Sequence, residues 1–125
     1  MLTAIRSSKR QHHALFEYHF SSTQPDPNPF SIHENTELVD GIGGVSWDGA
    51  LVLSKVLEQL TPAGHLVELG CGAGLAGIVA SRLGFRATLT DRYADLAALN
   101  IAHAGAGAAV GARQDQGQRQ EQGQG

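Results

Sequence analysis

The sequence predicts an α/β domain built on a parallel sheet, and three observations carry that prediction. A five-residue apolar strand, His65–Leu69, runs into the glycine loop Gly70–Gly74 and then into a helical period over Leu75–Leu83. A second alternating segment, Arg86–Thr90, is followed by a further helical period over Tyr93–His103. Strand, helix, strand, helix is the order of a parallel sheet with crossover helices.

Each element has its own signal. Residues 1–13 are polar, basic and without period, and are expected to be a flexible start. Aromatic and β-branched runs at Ala14–Phe20 and Phe30–His33 flank a loop in which Pro25, Pro27 and Pro29 forbid regular structure. They predict an N-terminal β-hairpin. Ser46–Leu60 reads as a helix: Ser46 is the expected N-cap, Asp48 suits the first turn, and Leu53, Val56, Leu57 and Leu60 repeat at helical spacing. Pro62 ends it. In the later helices the apolar positions are Leu75, Ile78, Val79 and Leu83, then Leu96 and Leu99 with Asn100.

The end of the chain differs in kind. Ala102–Ala112 is almost only Ala and Gly, and from Gln114 to Gln124 every second residue is Gln. No apolar face accompanies that alternation, so nothing offsets the entropy of ordering. Residues 14–103 are therefore expected to form the domain and residues 104–125 a low-complexity disordered tail.

Composition excludes several function classes. With a net charge of −3 the chain lacks the basic footprint of a nucleic-acid binder. No segment approaches a membrane span, and Met1–Arg10 contains no signal-peptide core. Cys71 is the single cysteine, which rules out an intramolecular disulfide. The six histidines show no metal-ligand spacing, and no metal is expected. These features suggest a cytoplasmic protein, with the nucleus as a second compartment; oligomeric state is not legible.

Glu68-Leu69-Gly70-Cys71-Gly72-Ala73-Gly74 carries the chemistry. Glycines let backbone approach a ligand and adopt φ values other residues resist. The helix that follows directs unpaired N–H groups and a partial positive charge at the loop, suiting a carboxylate or a phosphate. Asp91, about 20 residues on, stands where an acid accepts ribose hydroxyls, each bond worth about 1.5–3 kcal/mol. Two registers compete. Gly72-Ala73-Gly74-Leu75-Ala76-Gly77 satisfies the G-x-G-x-x-G dinucleotide pattern. An acid followed by G-x-G-x-G begins earlier, where the apolar strand ends, and gives Glu68 a place at the strand's carboxyl end. A dinucleotide register would bury Glu68 inside the strand without a partner, which is costly. The earlier register is favoured; an NAD-binding oxidoreductase fragment is the alternative.

These residues resemble a known family. Val67–Ile78 is similar to motif I of the class I, seven-β-strand methyltransferases, and Ala87–Arg92 resembles their second-strand motif. Gly43–Ala50, containing Val45-Ser46-Trp47-Asp48, resembles the Val-Trp-Asp segment of methyltransferase family sixteen, protein-lysine methyltransferases acting mostly on non-histone proteins. The resemblance runs from about Phe30 to Asn100. It implies a partial Rossmann-like class I methyltransferase fold, S-adenosyl-L-methionine as cofactor and a lysine of a protein as acceptor. By the same resemblance Trp47 contacts the cofactor, Gly70, Cys71, Gly72 and Gly74 line it with backbone, Glu68 lies near its amino end, and Asp91 holds the ribose. Cys71 is not expected to be a nucleophile, since no activating base stands beside it, and no catalytic residue is assigned.

One departure stands out. The family's third and fourth strands, and its Asp/Glu-x-x-Tyr/Phe motif, have no counterpart after Asp91. The resemblance thus implies a C-terminally truncated methyltransferase, expected to be inactive as this chain. A non-catalytic cofactor-binding remnant or interaction module is the second reading.

Overall fold

In the computed structural model, residues 13–35, 44–105 and the backbone of 110–114 are described. They form two sheets. β1 (His13–Tyr18) and β2 (Phe30–Asn35) pair antiparallel from His13 opposite Asn35 to Tyr18 opposite Phe30, which is the expected hairpin. β3 (His65–Leu69), β4 (Arg86–Asp91) and β5 (Val110–Gln114) form a parallel sheet in that order. Between them come α1 (Asp48–Leu57), α2 (Leu75–Leu83) and α3 (Asp95–His103). This is the partial Rossmann-like arrangement.

Helices α2 and α3 form a middle layer with two apolar faces. Leu75, Ile78 and Val79 of α2 and Leu96 of α3 meet Tyr18, Phe20, Phe30 and Ile32 of the hairpin. On the other side Ala76, Ala80 and Ala97 meet Ala87 and Leu89 of β4. Small residues on the sheet side bring α2 close to the strands. Burying a side chain such as Ile78 or Leu96 stabilises by about 1.5–3 kcal/mol, and both are fully buried.

Polar links fasten the hairpin. The Tyr18 hydroxyl donates to Glu58 Oε2 at 2.7 Å, and the Ser21 N–H donates to Glu58 Oε1 at 2.6 Å. Arg82 lies over the Phe20 and Phe30 rings and pairs with Asp26 at 3.1 Å, closing the proline-rich loop. Across the other face of the parallel sheet, His65, Val67 and Leu69 are exposed. Among the described residues no helix is long and apolar enough to cross a membrane.

Four details differ from the sequence reading. Ser46 is not the N-cap: Trp47 holds that position with no capping bond from its side chain, and the Ser46 N–H donates instead to Glu34 Oε1 at 2.9 Å. The stripe Leu53, Val56 and Leu60 is half exposed, and α1 buries Ser54 and Leu57. Ser54 is tolerated there because its hydroxyl donates to the Ala50 carbonyl one turn back, at 2.7 Å. On α3, Ala97 rather than Leu99 shares the buried side with Leu96. Finally, the sheet has three strands rather than two, because Val110–Gln114, assigned to the tail, pairs parallel with β4 from Ala87 opposite Val110 to Asp91 opposite Gln114. A ladder is made of main-chain groups, so the open edge of β4 accepts a segment whose composition carries no strand signal. Apart from His13, Ala104, Gly105 and β5, the expected flexible start and disordered tail lie outside the described residues.

Candidate functional site

In parallel α/β sheets ligands bind beyond the carboxyl ends of the strands. There the structure has a cavity of about 530 Å³ between the start of α1, the β3–α2 loop and the end of β4, within the usual range of ligand sites. Trp47, Glu68, Gly70, Cys71, Gly72, Gly74 and Asp91 all line it. Seven residues singled out from sequence, spread over 45 positions, thus meet at one place.

The loop's shape depends on glycine. Gly70, Gly72 and Gly74 have φ of 67°, 54° and 91°, all in the left-handed region where a side chain is strained. A Cβ on Gly70 would meet nothing within 4 Å. Hydrogen bonds then fix the loop to β4. The Cys71 N–H donates to the Thr90 carbonyl at 2.9 Å, and the Gly72 N–H to Asp91 Oδ2 at 2.8 Å. Asp91 Oδ1 accepts the Tyr93 N–H at 3.0 Å. A carboxylate has about four lone-pair sites, so Asp91 keeps one on each oxygen for a ligand.

Glu68 is the electrostatic centre. Its Oε2 is buried without a hydrogen-bond partner. Burial pushes the carboxyl up to about 7; the Gly77 amide pulls the other way, and the charge of Asp91 adds to the rise. A carboxyl perturbed in this way beside a cavity is a functional-site candidate. Burial, reinforced by Glu68 and Asp91, pushes the Cys71 thiol up to about 12, which suits a structural residue and not a nucleophile. Trp47 is 50% exposed at the start of α1, one side of its environment being the cavity. Among the described residues no cluster of His, Cys, Asp and Glu could hold a metal ion.

Gly77, the last glycine of the overlapping dinucleotide pattern, does something else. A Cβ there would fall onto Leu89 Cγ and Cδ1 and within 2.7 Å of Glu68 Oε2. It is a packing glycine between α2 and β4. Sequence reasoning missed Arg92 and Tyr93, which line the cavity immediately after Asp91, with the Arg92 guanidinium 5.4 Å from the Tyr93 ring centre. Their signal was position alone: residues that follow an acid at a strand's carboxyl end necessarily rim its site. It also missed the bonds of Asn100, whose signal was a polar residue on the apolar side of a helix.

Comparison with known proteins gives the family. The sequence profile of the family described as lysine methyltransferase matches residues 24–115. This chain belongs to the lysine methyltransferase family. As a member of it, the chain is 36% identical over 98 residues to protein N-lysine methyltransferase METTL21A of Xenopus tropicalis, covering 72% of the chain and 40% of that protein. It is 50% identical over 56 residues to METTL21A of Mus musculus, covering 42% and 25%. It is 45% identical over 69 residues to protein-lysine methyltransferase METTL21E of Bos taurus, covering 50% and 24%. This family member therefore spans two fifths or less of the length of these curated relatives.

Proposed function

We propose that the chain holds S-adenosyl-L-methionine in the cavity beside Glu68 and Asp91, as the donor half of a protein-lysine N-methyltransferase acting on a non-histone protein. The single observation that carries the reading is the loop itself: three left-handed glycines between one carboxylate with a buried, unpartnered oxygen and a second held by the amides of Gly72 and Tyr93. The residues present fit the cofactor. Glu68 supplies a carboxyl at the cavity wall for an ammonium group, Gly70 leaves room for close approach, and Asp91 retains acceptor capacity for ribose hydroxyls. Trp47 closes the side nearest α1. The activity for which the relatives are named is the basis for a lysine acceptor, and the lone cysteine is consistent with a cytoplasmic or nuclear setting.

When bound, the cofactor supplies a sulfonium methyl group open to direct displacement by an unprotonated amine. The chain's own contribution is alignment and exclusion of water. The glycine loop fixes the donor, the cavity wall from Val45 to Leu53 removes solvent, and Glu68 balances positive charge at the amino end. Such alignment contributes up to roughly 7–11 kcal/mol in well-oriented systems. We further propose that the 125-residue polypeptide binds donor but transfers no methyl group unaided.

Calorimetry with S-adenosylhomocysteine and with NAD tests the cofactor assignment. The expected result is measurable binding of S-adenosylhomocysteine, weakened by about 1.5–3 kcal/mol in Asp91→Ala through loss of charge-assisted bonds. Tighter binding of NAD would overturn the reading.

A further inference from the structure

Asn100 is fully buried on α3, and its carboxamide uses every group it has. Oδ1 accepts the His33 N–H at 2.8 Å, and Nδ2 donates to the His33 carbonyl at 3.0 Å. The side chain thereby pairs with β2 as a neighbouring strand would. The remaining Nδ2 proton goes elsewhere, to the Ala73 carbonyl at 2.9 Å. An asparagine needed only to hold the hairpin would stop at His33.

Ala73 lies between Gly72 and Gly74, two residues whose backbone is free to rotate in the absence of an anchor. Fixing the Ala73 carbonyl fixes the plane of the peptide it shares with the Gly74 N–H. On the opposite side Asp91 Oδ2 holds the Gly72 N–H. Besides the main-chain bonds from the Cys71 N–H to Thr90 and from the Gly74 N–H to the Cys71 carbonyl, two side chains therefore clamp the loop, a donor by a carboxylate and an acceptor by a carboxamide. Neither aspartate nor leucine replaces Asn100: the first cannot donate, and the second leaves three buried backbone groups unpaired.

We propose that Asn100 is a positioning residue for the cofactor loop and couples the setting of that loop to the N-terminal hairpin. The inference rests on the cofactor reading given above.

The test is titration of the ¹⁵N-labelled 125-residue chain with S-adenosylhomocysteine, followed by amide spectroscopy. In the unmodified chain the Asn100 side-chain NH₂ and His33 amide signals are expected to move along the same binding curve as Gly72 and Gly74. In Asn100→Leu and Asn100→Asp, affinity is expected to fall about tenfold, the equivalent of a lost hydrogen bond, and the His33 response to vanish. Variants that melt earlier yet bind with unchanged Kd overturn the proposal, because Asn100 would then be structural only. If neither variant folds, the unmodified chain decides: a ligand response confined to the loop overturns the coupling while leaving the cofactor reading intact. A parent chain that binds no S-adenosylhomocysteine overturns both.

Discussion

Glu68 combines a stability cost with a proposed binding role in one carboxyl. Its ordinary value is 4.5 and burial raises it to about 7, so the folded chain keeps a proton that the unfolded chain releases over that interval. Stability therefore falls as pH rises from about 4.5 to about 7, then levels off once both states are ionised. Urea titrations at about pH 5 and about pH 8 are expected to show the higher midpoint at the acidic end, and Glu68→Gln is expected to erase the difference. An unchanged slope in the variant would assign the pH dependence to another group. The cost of burying Glu68 is concentrated where the cofactor's amino end is proposed to sit, which is how functional sites hold perturbed acids.

Among the elements, the contact between α2 and β4 is the least forgiving. Gly77→Ala would place a methyl against the fully buried Leu89 and beside Glu68 Oε2, and overpacking of this kind costs about 1–3 kcal/mol. Thermal unfolding is expected to register that loss; a neutral substitution would mean that Leu89 has another rotamer available. The elements flanking the loop were largely legible in the sequence, since β3 and α2 fall within the expected bounds and the glycine pattern sits between an apolar strand and a helical period. What escaped was direction and edge. Periodicity located α1 and its buried Leu57, but a serine bonded to its own helix packs as if apolar while Leu53 and Val56 stay half exposed. β5 escaped because edge pairing draws on main-chain groups that composition does not report. The cavity residues of the loop were legible from spacing, whereas Arg92, Tyr93 and the Asn100 bond to the Ala73 carbonyl needed the fold to bring them together.

For the whole molecule, the described residues assemble the cavity proposed to hold the methyl donor, and the relatives carry at least 60% of their length beyond the region matched. Methyl transfer demands that acceptor and donor meet near attack distance, and an error of about 1 Å can cost a hundredfold. Radiolabelled methyl transfer to a cell lysate is expected to give no signal with this polypeptide alone; robust labelling would show that the Trp47 side, or pairing of two copies, completes an acceptor pocket. The hairpin has a further consequence, which lies in kinetics. Its two strands are near neighbours in the chain, yet the bonds that fasten it span 40 residues from Tyr18 to Glu58 and 67 from His33 to Asn100. Closing such long spans comes late, after the entropy of the intervening chain has been overcome. Tyr18→Phe, which deletes the bond to Glu58, is therefore expected to speed unfolding about fivefold in stopped-flow experiments while leaving the refolding rate unchanged. The hairpin is then the last part to engage and the first to release, and its departure frees Asn100 from His33 before the sheet has begun to melt.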